Sequence, residues 1–320
     1  MKILITGVTG FFGRSLLNHI NVMAESDSSL TVVGLSRNPA LFYSRYPKYK
    51  KFNWLKVLEV DLLDRETLSR LESGFTHVFH FAVDSTSGPK MRGVERFDQI
   101  YYGARNLLDF CVLNNIQNIL MASSGGVYGD ASSELISYNE KILPRLDPFS
   151  QKSTYSLSKC LVEHLGYIYS AETNLKVKTA RCFSFVGEDL PLDAHYAIGN
   201  FINDALFNES VVVKGAGNAV RSYMYQVDLA EWLFNIILFG ETGCCYNVGS
   251  DFPISILDLS YKVRNILSPT KEVKVLNLES FKNNTYVPDI TKAKDELGLF
   301  LKYDLENSII CTAEKILNGH

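Results

Sequence analysis

The stretch Lys2-Ile3-Leu4-Ile5-Thr6-Gly7-Val8-Thr9-Gly10-Phe11-Phe12-Gly13 decides the fold that the sequence predicts. Its apolar first half has the length of a buried strand, and helical apolar spacing follows over residues 12–24. The three glycines between them permit, in order, a tight turn, a close backbone approach to a pyrophosphate, and close packing of helix on strand. The N-terminus of such a helix attracts phosphate. The expected cofactor contacts of this turn are Gly7, Gly10, Phe11, Phe12 and Gly13.

Strand-like and helix-like stretches alternate through the first half of the chain. Strands are predicted at 31–35, 57–60, 77–82, 118–122 and 176–183, and helices at 65–71, 99–114 and 155–170. Parallel strands need crossover connections, so this alternation predicts a parallel sheet with helices on both faces. Ligands of such sheets bind at the carboxyl ends of the strands.

The alternation weakens after about residue 184. Residues 191–213 and 255–306 look irregular, whereas a strand and a helix return around 222–239 and 244–248. We therefore predict an α/β protein, with a Rossmann-type doubly wound parallel sheet and a smaller, mixed α/β substrate lobe at the C-terminal end. The predicted dinucleotide-binding domain spans 1–183 plus about 222–250, and the lobe spans about 184–221 and 251–320.

The composition argues against several classes of protein. The chain has 320 residues, 46% of them hydrophobic, and its 32 Lys and Arg against 35 Asp and Glu leave a net charge of −3. Without a basic footprint, nucleic acid is not expected as a partner. The six cysteines show no metal-ligand spacing, so we expect no metal site and predict reduced thiols in a cytoplasmic protein. No apolar run has the length of a membrane span or the pattern of a signal peptide.

The end of the second predicted strand, Leu35-Ser36-Arg37-Asn38, bears on the choice of cofactor. Sites for NAD usually carry an acid about 20 residues after the turn, where it binds the ribose hydroxyls. Here Ser36 can donate to a 2′-phosphate and Arg37 can pair with its charge, which favours NADP(H) over NAD(H). The alternative is that Arg37 is a solvated loop residue. Asp61, after the third strand, is either an acceptor for the adenine amino group or a helix N-cap.

Two further motifs carry candidate chemistry. Tyr155-Ser156-Leu157-Ser158-Lys159 places a tyrosine and a lysine four residues apart, on one face of a predicted helix. A lysine ammonium close to a phenol favours the phenolate, which makes the tyrosine a usable acid or base near neutral pH. Ser124 ends the fifth predicted strand, on the ligand side of the sheet, where its hydroxyl can bond a substrate oxygen. His80 ends an apolar strand and is interpreted as a core histidine.

Together with the phosphate turn, these motifs make the chain resemble the extended short-chain dehydrogenase/reductase family, in its nucleotide-sugar epimerase, dehydratase and reductase group. The resemblance covers nearly the whole chain. Its further motifs are His80-Phe81-Ala82, Ser123-Ser124 with Val127-Tyr128-Gly129, Glu140 with Pro148, Arg181-Cys182-Phe183, Arg221 with Tyr225-Gln226-Val227-Asp228-Leu229-Ala230, Asn247-Val248-Gly249-Ser250, and Val287-Pro288-Asp289 with Glu296-Leu297-Gly298.

The resemblance implies a role for each matching residue. Tyr155 would be the general acid/base, Lys159 would hold the nicotinamide ribose and tune Tyr155, and Ser124 would orient the reacting carbonyl or hydroxyl. The cofactor contacts expected beyond the turn are Ser36, Arg37, Asp61, Leu62, Phe81, Ala82, Tyr155, Lys159, Phe183 and Val186. The expected substrate contacts are Ser124, Ser184, His195, Asn200, Arg221 and Tyr286. Surface placement of His195 and simple packing of Tyr286 remain alternatives.

The chain departs from the family pattern at three places. Ile100 stands where a helix asparagine is usual, and Ser184 stands where a second asparagine is usual. Gly125-Gly126 replaces the Asp-Glu pair that the family's 4,6-dehydratases carry after the catalytic hydroxyl residue. Dehydration needs an acid for the leaving hydroxyl and a base for the neighbouring proton. We therefore do not expect a 4,6-dehydratase.

Three functional hypotheses follow. The leading one is an NADPH-dependent reductase of a nucleotide-linked 4-keto sugar, with Tyr155 as the proton donor. The alternative is a nucleotide-sugar 4-epimerase that retains its NAD(P), because the same residues serve both directions. A non-catalytic dinucleotide-binding protein is disfavoured, since Ser124, Tyr155 and Lys159 are all present. The family's dimers form through two helices, so the apolar stretches near 101–113 and 155–170 predict a homodimer.

Overall fold

A computed structural model describes residues 1–83, 90–129, 136–194, 196–277 and 284–319 of the chain. The chain divides into two compact units. Unit 1 consists of Met1–Val127, Leu146–Arg181 and Ala230–Tyr246, and unit 2 of Tyr128–Arg145, Cys182–Leu229 and Asn247–His320. Unit 2 thus contains residues 128–145, 182–183, 222–229 and 247–250, which the predicted domains place with the sheet. That the units are a cofactor domain and a substrate domain stays a prediction.

The elements alternate through both units. The strands are β1 (Lys2–Thr6), β2 (Thr31–Ser36), β3 (Leu55–Glu59), β4 (His77–His80), β5 (Asn118–Ser124), β6 (Lys176–Cys182), β7 (Phe185–Val186), β8 (Ser210–Val213), β9 (Val220–Arg221), β10 (Met224–Tyr225), β11 (Cys245–Val248), β12 (Ile254–Ser255), β13 (Glu272–Val275) and β14 (Thr285–Tyr286). The helices are α1 (Phe11–Ala24), α2 (Pro39–Arg45), α3 (Arg65–Ser69), α4 (Gly93–Leu113), α5 (Thr154–Glu172), α6 (Ala197–Phe207), α7 (Gln226–Phe239), α8 (Ile256–Leu267), α9 (Thr291–Leu297) and α10 (Leu305–Leu317).

Seven strands form the central sheet, in the order β3-β2-β1-β4-β5-β6-β11. Each pairing from β3 to β5 is parallel. The chain crosses from one side of β1 to the other between β3 and β4, and such a switch point is where doubly wound sheets bind ligands. The predicted fold class is confirmed, since the sheet is Rossmann-like and flanked by helices.

Two glycines let β1 and α1 pack closely at the phosphate turn. A Cβ atom on Gly13 would lie 2.5 Å from the Gly7 carbonyl oxygen and 2.5 Å from the Val8 Cα atom, far inside van der Waals contact. Gly7 has a φ of +70°, a left-handed conformation that other residues rarely adopt, and its Cβ atom would meet the Phe81 carbonyl carbon at 2.7 Å. A larger residue at either position would force the helix and the strands apart.

Helices α4 and α5 pack together against the sheet. Leu107 and Cys111 of α4 and Val162 of α5 are buried in one cluster with apolar residues of β1, β2, β4, β5 and β6. Helix α4 begins at Gly93, several residues before the predicted start at 99. Its first turns carry polar side chains, including Arg96, that give no apolar periodicity, so the sequence pattern hides them.

Unit 2 is built from short strand pairs and helices rather than from one large sheet. A three-stranded sheet has the order β12-β9-β14, and two further pairs join β10 to β7 and β13 to β8. The prediction that 191–213 and 255–306 are irregular is wrong, because these stretches hold α6, β8, α8, β13, β14 and α9. The sequence does contain a signal for helix α8. Its N-cap is Ser255, which accepts a hydrogen bond from the Asp258 N–H at 3.0 Å, and the buried Leu259 and Val263 have the four-residue spacing of a helix face.

Asn247 connects several segments of unit 2 through hydrogen bonds. The Asn247 side chain accepts from the Tyr128 hydroxyl at 2.8 Å and donates to the backbone carbonyls of Tyr138 and Asp289 at 2.8 and 3.0 Å. The Asn247 N–H donates to the Glu140 carboxylate at 2.7 Å, and burial raises the pKa of that carboxyl. Buried polar groups that satisfy one another in this way hold segments together that are distant in sequence.

Candidate active site

The turn between β1 and α1 forms part of the wall of a cavity in unit 1. Gly10 occupies the N-cap position of α1 and makes no side-chain cap. An ideal Cβ atom on Gly10 would meet nothing closer than the Gly7 carbonyl oxygen at 3.4 Å, so packing within unit 1 does not require glycine there. The missing side chain instead leaves room at the positive end of the helix, where a phosphate group can approach the backbone.

The cavity has a volume of about 490 Å³, which is within the range of roughly 300–1,000 Å³ typical of ligand sites. It follows the carboxyl ends of β1, β2 and β4. Many of the predicted cofactor contacts line it, namely Gly7, Gly10, Ser36, Arg37, Asp61, Leu62, Phe81 and Ala82. Phe11, Phe12 and Gly13 lie in the first turn of α1. An elongated ligand with a central pyrophosphate fits this lining, although the individual contacts stay predictions.

The cavity wall formed by the end of β2 and by α2 is basic. Ser36, Arg37 and Arg45 line it. The Asn38 N–H donates to the Ser36 hydroxyl oxygen at 3.1 Å, which leaves the Ser36 O–H able to donate elsewhere. One hydroxyl donor and two guanidinium groups therefore line this wall, and such groups form strong hydrogen bonds with anions.

Helix α2 was missed by sequence reasoning, and Arg45 was missed with it. The available signal was the pair Asn38-Pro39. The Asn38 side chain caps α2 by accepting from the Leu41 N–H at 2.9 Å, and Pro39 takes the first helical position. Tyr46, which follows α2, also lines the cavity, and the Arg14 guanidinium lies 4.1 Å from the centroid of its ring.

Asp61 is the one carboxylate among the described residues that line the cavity. Its side chain accepts from the Leu63 N–H at 3.0 Å. The N-cap of α3 is Asp64, which accepts from the Glu66 N–H at 2.9 Å, so the N-cap interpretation of Asp61 is wrong. The prediction that Asp61 accepts from an adenine amino group is compatible with its place in the cavity wall.

The three predicted catalytic residues all belong to unit 1. Tyr155 and Lys159 occupy successive turns of α5, and Ser124 ends β5. Lys159 is only 4% exposed, and its Nζ atom donates to the Ala122 carbonyl oxygen at 2.6 Å. This bond fixes the ammonium group beside the strand that carries Ser124, whose hydroxyl oxygen accepts from the Gly126 N–H at 3.1 Å.

Gly126 lies between two hydroxyl groups. An ideal Cβ atom on Gly126 would lie 3.0 Å from the Ser156 hydroxyl oxygen and 3.2 Å from the Ser124 hydroxyl oxygen. The residue after Tyr155 therefore lies close to Ser124, which brings the start of α5 to the end of β5. The position at which dehydratases of the resembled group carry a glutamate has no side chain here.

Two residues of α4 complete this region and were not predicted from the sequence. The Arg96 guanidinium lies over the Tyr155 ring, 4.7 Å from its centroid. Gln99 lines the cavity, and its side-chain oxygen is buried with no hydrogen-bond partner among the described residues. Gln99 immediately precedes Ile100, the position where the resembled family usually has asparagine. The signal in the sequence was a polar residue one position before the usual asparagine. Where its side chain points depends on the orientation of α4, which only the structure gives.

His80 is buried in the interior of unit 1. It is 3% exposed, and its Nδ1 atom lies 2.8 Å from the Thr6 hydroxyl oxygen. Burial, and secondarily the charge of Lys159, lowers the pKa of His80 to about 3. A neutral, buried imidazole between β1 and β4 agrees with its interpretation as a core histidine.

The remaining predicted contacts lie in unit 2. These residues are Phe183, Ser184, Val186, Asn200, Arg221 and Tyr286. His195 lies outside the described residues. Asn200 is half-buried on α6, and the Ser184 carbonyl accepts from the Met224 N–H at 3.1 Å.

Arg221 and Tyr286 are neighbours within unit 2. The Arg221 guanidinium lies 5.7 Å from the centroid of the Tyr286 ring, and it donates to the carbonyl oxygens of Val220 and Asn284 at 2.8 and 2.7 Å. Burial lowers the pKa of Arg221 below its usual value. Tyr286 packs on Phe183 with ring centroids 4.6 Å apart, so the packing alternative for Tyr286 describes at least part of its role.

Metal ligation and membrane insertion find no support in the described part of the chain. Residues 1–83, 90–129, 136–194, 196–277 and 284–319 contain no cluster of three His, Cys, Asp or Glu side chains suited to a metal ion. The six cysteines form no disulfide with one another. Within the same ranges, every helix is too short or too polar to cross a bilayer.

Comparison with known proteins identifies the family. Residues 3–249 match the NAD dependent epimerase/dehydratase family. The chain belongs to this family. Family relatives include UDP-glucuronic acid decarboxylase 5 of Arabidopsis thaliana, 25% identical over 97% of this chain and 87% of the relative. The low-salt glycan biosynthesis protein Agl12 of Haloferax volcanii is 26% identical over 97% of this chain and 96% of the relative.

Solved structures of the epimerase/dehydratase family share the fold. UDP-glucose 4-epimerase of Thermotoga maritima matches with a TM-score of 0.85 at 21% identity, over 99% of both chains. A dTDP-glucose 4,6-dehydratase of Bacillus anthracis matches with a TM-score of 0.85 at 18% identity, over 100% of this chain and 97% of that chain. These likenesses show that the chain shares its fold with both structures.

Proposed function

We propose that this family member is an NADPH-dependent reductase of a nucleotide-linked 4-keto sugar. The observation that carries the proposal is the basic wall of the unit 1 cavity. Ser36, Arg37 and Arg45 line it, in a region where NAD-selective sites carry an acid. Relatives named for UDP-glucuronic acid and UDP-glucose support a nucleotide sugar as the substrate class.

The residues of unit 1 fit a bound NADP(H). The glycine turn would take the pyrophosphate, the basic wall would take the 2′-phosphate, and Asp61 would accept from the adenine amino group. Gln99 would offer its buried amide oxygen to a donor of the cofactor, which would satisfy an otherwise costly buried acceptor. When bound, NADPH supplies the hydride that reduces the keto carbon.

Side chains of the protein would carry out the proton transfer. The Tyr155 hydroxyl would donate a proton to the substrate oxygen, and the Ser124 hydroxyl would stabilise that oxygen with a hydrogen bond. Lys159, which the Ala122 carbonyl holds in place, would stabilise the phenolate that remains on Tyr155. Gly126 offers no acid or base, so elimination of a neighbouring hydroxyl is not part of the proposed reaction.

Two residues of unit 2 are proposed to hold the nucleotide diphosphate. Arg221 carries a half-buried positive charge, and a diphosphate would compensate the cost of its partial desolvation. Asn200, on α6, would add an amide donor. Both roles rest on the residue types and on the resemblance of their surrounding motifs.

A nucleotide-sugar 4-epimerase is the second candidate. The family assignment and the fold shared with UDP-glucose 4-epimerases favour it. An epimerase would oxidise a sugar hydroxyl, turn the keto intermediate and reduce it again, with the same three catalytic residues. Such an enzyme recycles its nucleotide, whereas a net reductase exchanges it.

The test distinguishes the reductase from the epimerase by the nucleotide that the purified protein retains. The protein is purified without added nucleotide and denatured, and any released nucleotide is identified by chromatography. An empty protein that binds NADPH much more tightly than NADH is the expected result, and NADPH consumption is then screened with keto-sugar nucleotides. Near-stoichiometric bound NAD would contradict the reductase proposal and the role given to Ser36 and Arg37.

A further inference from the structure

A guanidinium group lies over the ring of the proposed catalytic tyrosine. The Arg96 Cζ atom is 4.7 Å from the centroid of the Tyr155 ring. The starts of α4 and α5 are adjacent here, because an ideal Cβ atom on Gly93 would lie 3.6 Å from the Thr154 hydroxyl oxygen. Arg96 is half-buried, so water screens its charge less than it screens an exposed arginine.

The position of Arg96 favours one protonation state of Tyr155. A phenolate spreads its negative charge over the oxygen and the ring, and a cation above the ring attracts the phenolate more strongly than the neutral phenol. Opposite charges within about 4–6 Å favour the charged form of a titrating group. Lys159 supplies one positive charge from the next turn of α5, and Arg96 supplies a second from α4.

A second stack on the same two helices provides a comparison. Arg105 of α4 lies over the Tyr169 ring of α5 at 5.6 Å. Arg105 also pairs with Asp109 at 3.3 Å, and the Tyr169 hydroxyl donates to Asp109. Burial, together with Asp109, raises the pKa of Tyr169 despite the arginine. Burial and a carboxylate at the hydroxyl together outweigh a cation at the ring, so the surroundings of each tyrosine decide the direction of its pKa shift.

The charged groups described near Tyr155 include Arg96 from α4 and Lys159 from α5. Beyond Lys159 lies His80 of β4, which burial keeps neutral. The core cluster on which the Tyr155 ring packs is apolar, apart from the buried Cys111 thiol of α4.

We infer that Arg96 is a positioning residue for Tyr155. Its charge stabilises the phenolate, so that this tyrosine gives up its proton at a lower pH. The inference rests on the acid/base role proposed for Tyr155. It gives the polar first turns of α4 a role that packing does not explain, since Arg96 brings a positive charge to the Tyr155 ring.

The test measures the ionisation of Tyr155 directly, without substrate or cofactor. The chain has 17 tyrosines, and NMR of protein labelled at the tyrosine Cζ carbon resolves them once Tyr155→Phe identifies the signal of interest. In Arg96→Met the ionisation midpoint of Tyr155 is expected to rise by about 0.5–1 pH unit. Arg96→Lys keeps the charge and is expected to restore much of the difference.

The matched control is Arg92→Met. Arg92 is one helical turn earlier, its side chain is 81% exposed, and it pairs with Glu95 at 3.5 Å. This variant loses the same charge at the N-cap of α4 but is expected to leave the Tyr155 midpoint unchanged. Should Arg96→Met unfold in a thermal melt, Arg96→Gln removes the charge with a similar polar side chain.

Three results would overturn the inference. They are an unchanged midpoint without the Arg96 charge, an equal rise in Arg92→Met, and a rise in Arg96→Lys as large as in Arg96→Met, which would assign the effect to packing. Because the titration uses the protein alone, failure of the proposed reductase activity would leave its result interpretable. With active enzyme, the limb of the kcat–pH profile that Tyr155 controls should move to higher pH in Arg96→Met.

Discussion

At the scale of single residues, one hydroxyl group carries the proposed proton transfer. Tyr155→Phe removes the hydroxyl but keeps the ring over which Arg96 lies. We expect kcat to fall by about 10²–10⁴-fold, the usual loss of a general acid, while NADPH binding measured by fluorescence titration persists. Tyr102→Phe, at a tyrosine of α4 that is 50% exposed, is the control and should keep full activity. Full activity of Tyr155→Phe would refute the mechanism.

The basic cavity wall gives a second prediction at this scale. Arg45→Ala should weaken NADPH binding by roughly tenfold, because a charge-assisted hydrogen bond to the 2′-phosphate is lost, and should leave NADH binding unchanged. Isothermal titration with both nucleotides measures the difference. Lys48→Ala removes a nearby positive charge outside the described cavity lining and serves as the control. Equal weakening of both nucleotides by Arg45→Ala would contradict this role.

Local spacing made some site residues predictable and left others hidden. The glycine turn and the pair Tyr155 and Lys159 follow from distances along the chain, since turns and single helix faces are local structures. Arg96 lies in turns of α4 that precede its apolar pattern, and both Arg96 and Gln99 reach the site because α4 packs on α5. Their placement depends on how two helices meet, which sequence spacing within one helix does not encode.

At the scale of elements, the contact between β1 and β4 predicts a pH dependence of stability. His80 has a pKa lowered to about 3, below the ordinary value of 6.5, so between these values the unfolded chain binds a proton that the native protein does not. Stability should therefore fall as the pH falls through this window. The loss between pH 6.5 and 4.5 should be about 2 kcal/mol.

Chemical unfolding of the free protein at several pH values measures this loss. His80→Asn should unfold more easily at pH 7 but show a flatter dependence on pH between 6.5 and 4.5. His164→Asn, at an exposed histidine of α5, should keep the wild-type slope. An unchanged slope in His80→Asn would show that other groups cause the acid sensitivity.

The elements themselves were predicted unevenly, for a physical reason. Strands of the central sheet are buried on both faces and read as continuous apolar runs, so β1, β2, β4, β5 and β6 were found with small errors at their ends. Helices such as α2 and α8 bury only a narrow stripe, and their caps, Asn38 and Ser255, were the stronger signals. Unit 2 has short strands with few residues each, which leaves little periodicity to detect.

At the scale of the whole molecule, exposed apolar side chains on α4 and α5 support the prediction of a homodimer. Tyr102 of α4 is 50% exposed, and Leu161 and Tyr167 of α5 are 44% and 58% exposed. Sedimentation velocity should give twice the mass of one chain, and the double variant Leu161→Glu with Tyr167→Glu should give the monomer, because charges are costly to bury. Phe239→Glu, at a residue of α7 that is 68% exposed, should leave the dimer intact. A monomeric wild-type protein would refute the prediction.

The discontinuity of unit 1 bears on how the protein is made. Its last segment, Ala230–Tyr246, supplies Phe234, whose ring lies 6.1 Å from that of Phe79 on β4, and it begins β11, the neighbour of β6. Translation must therefore proceed at least as far as Tyr246 before this unit can close its sheet. Until then β6 has an unpaired edge that neighbouring nascent chains or chaperones can contact. A chain truncated near residue 181 would lack Phe234 and β11, and its unit 1 would stay incomplete.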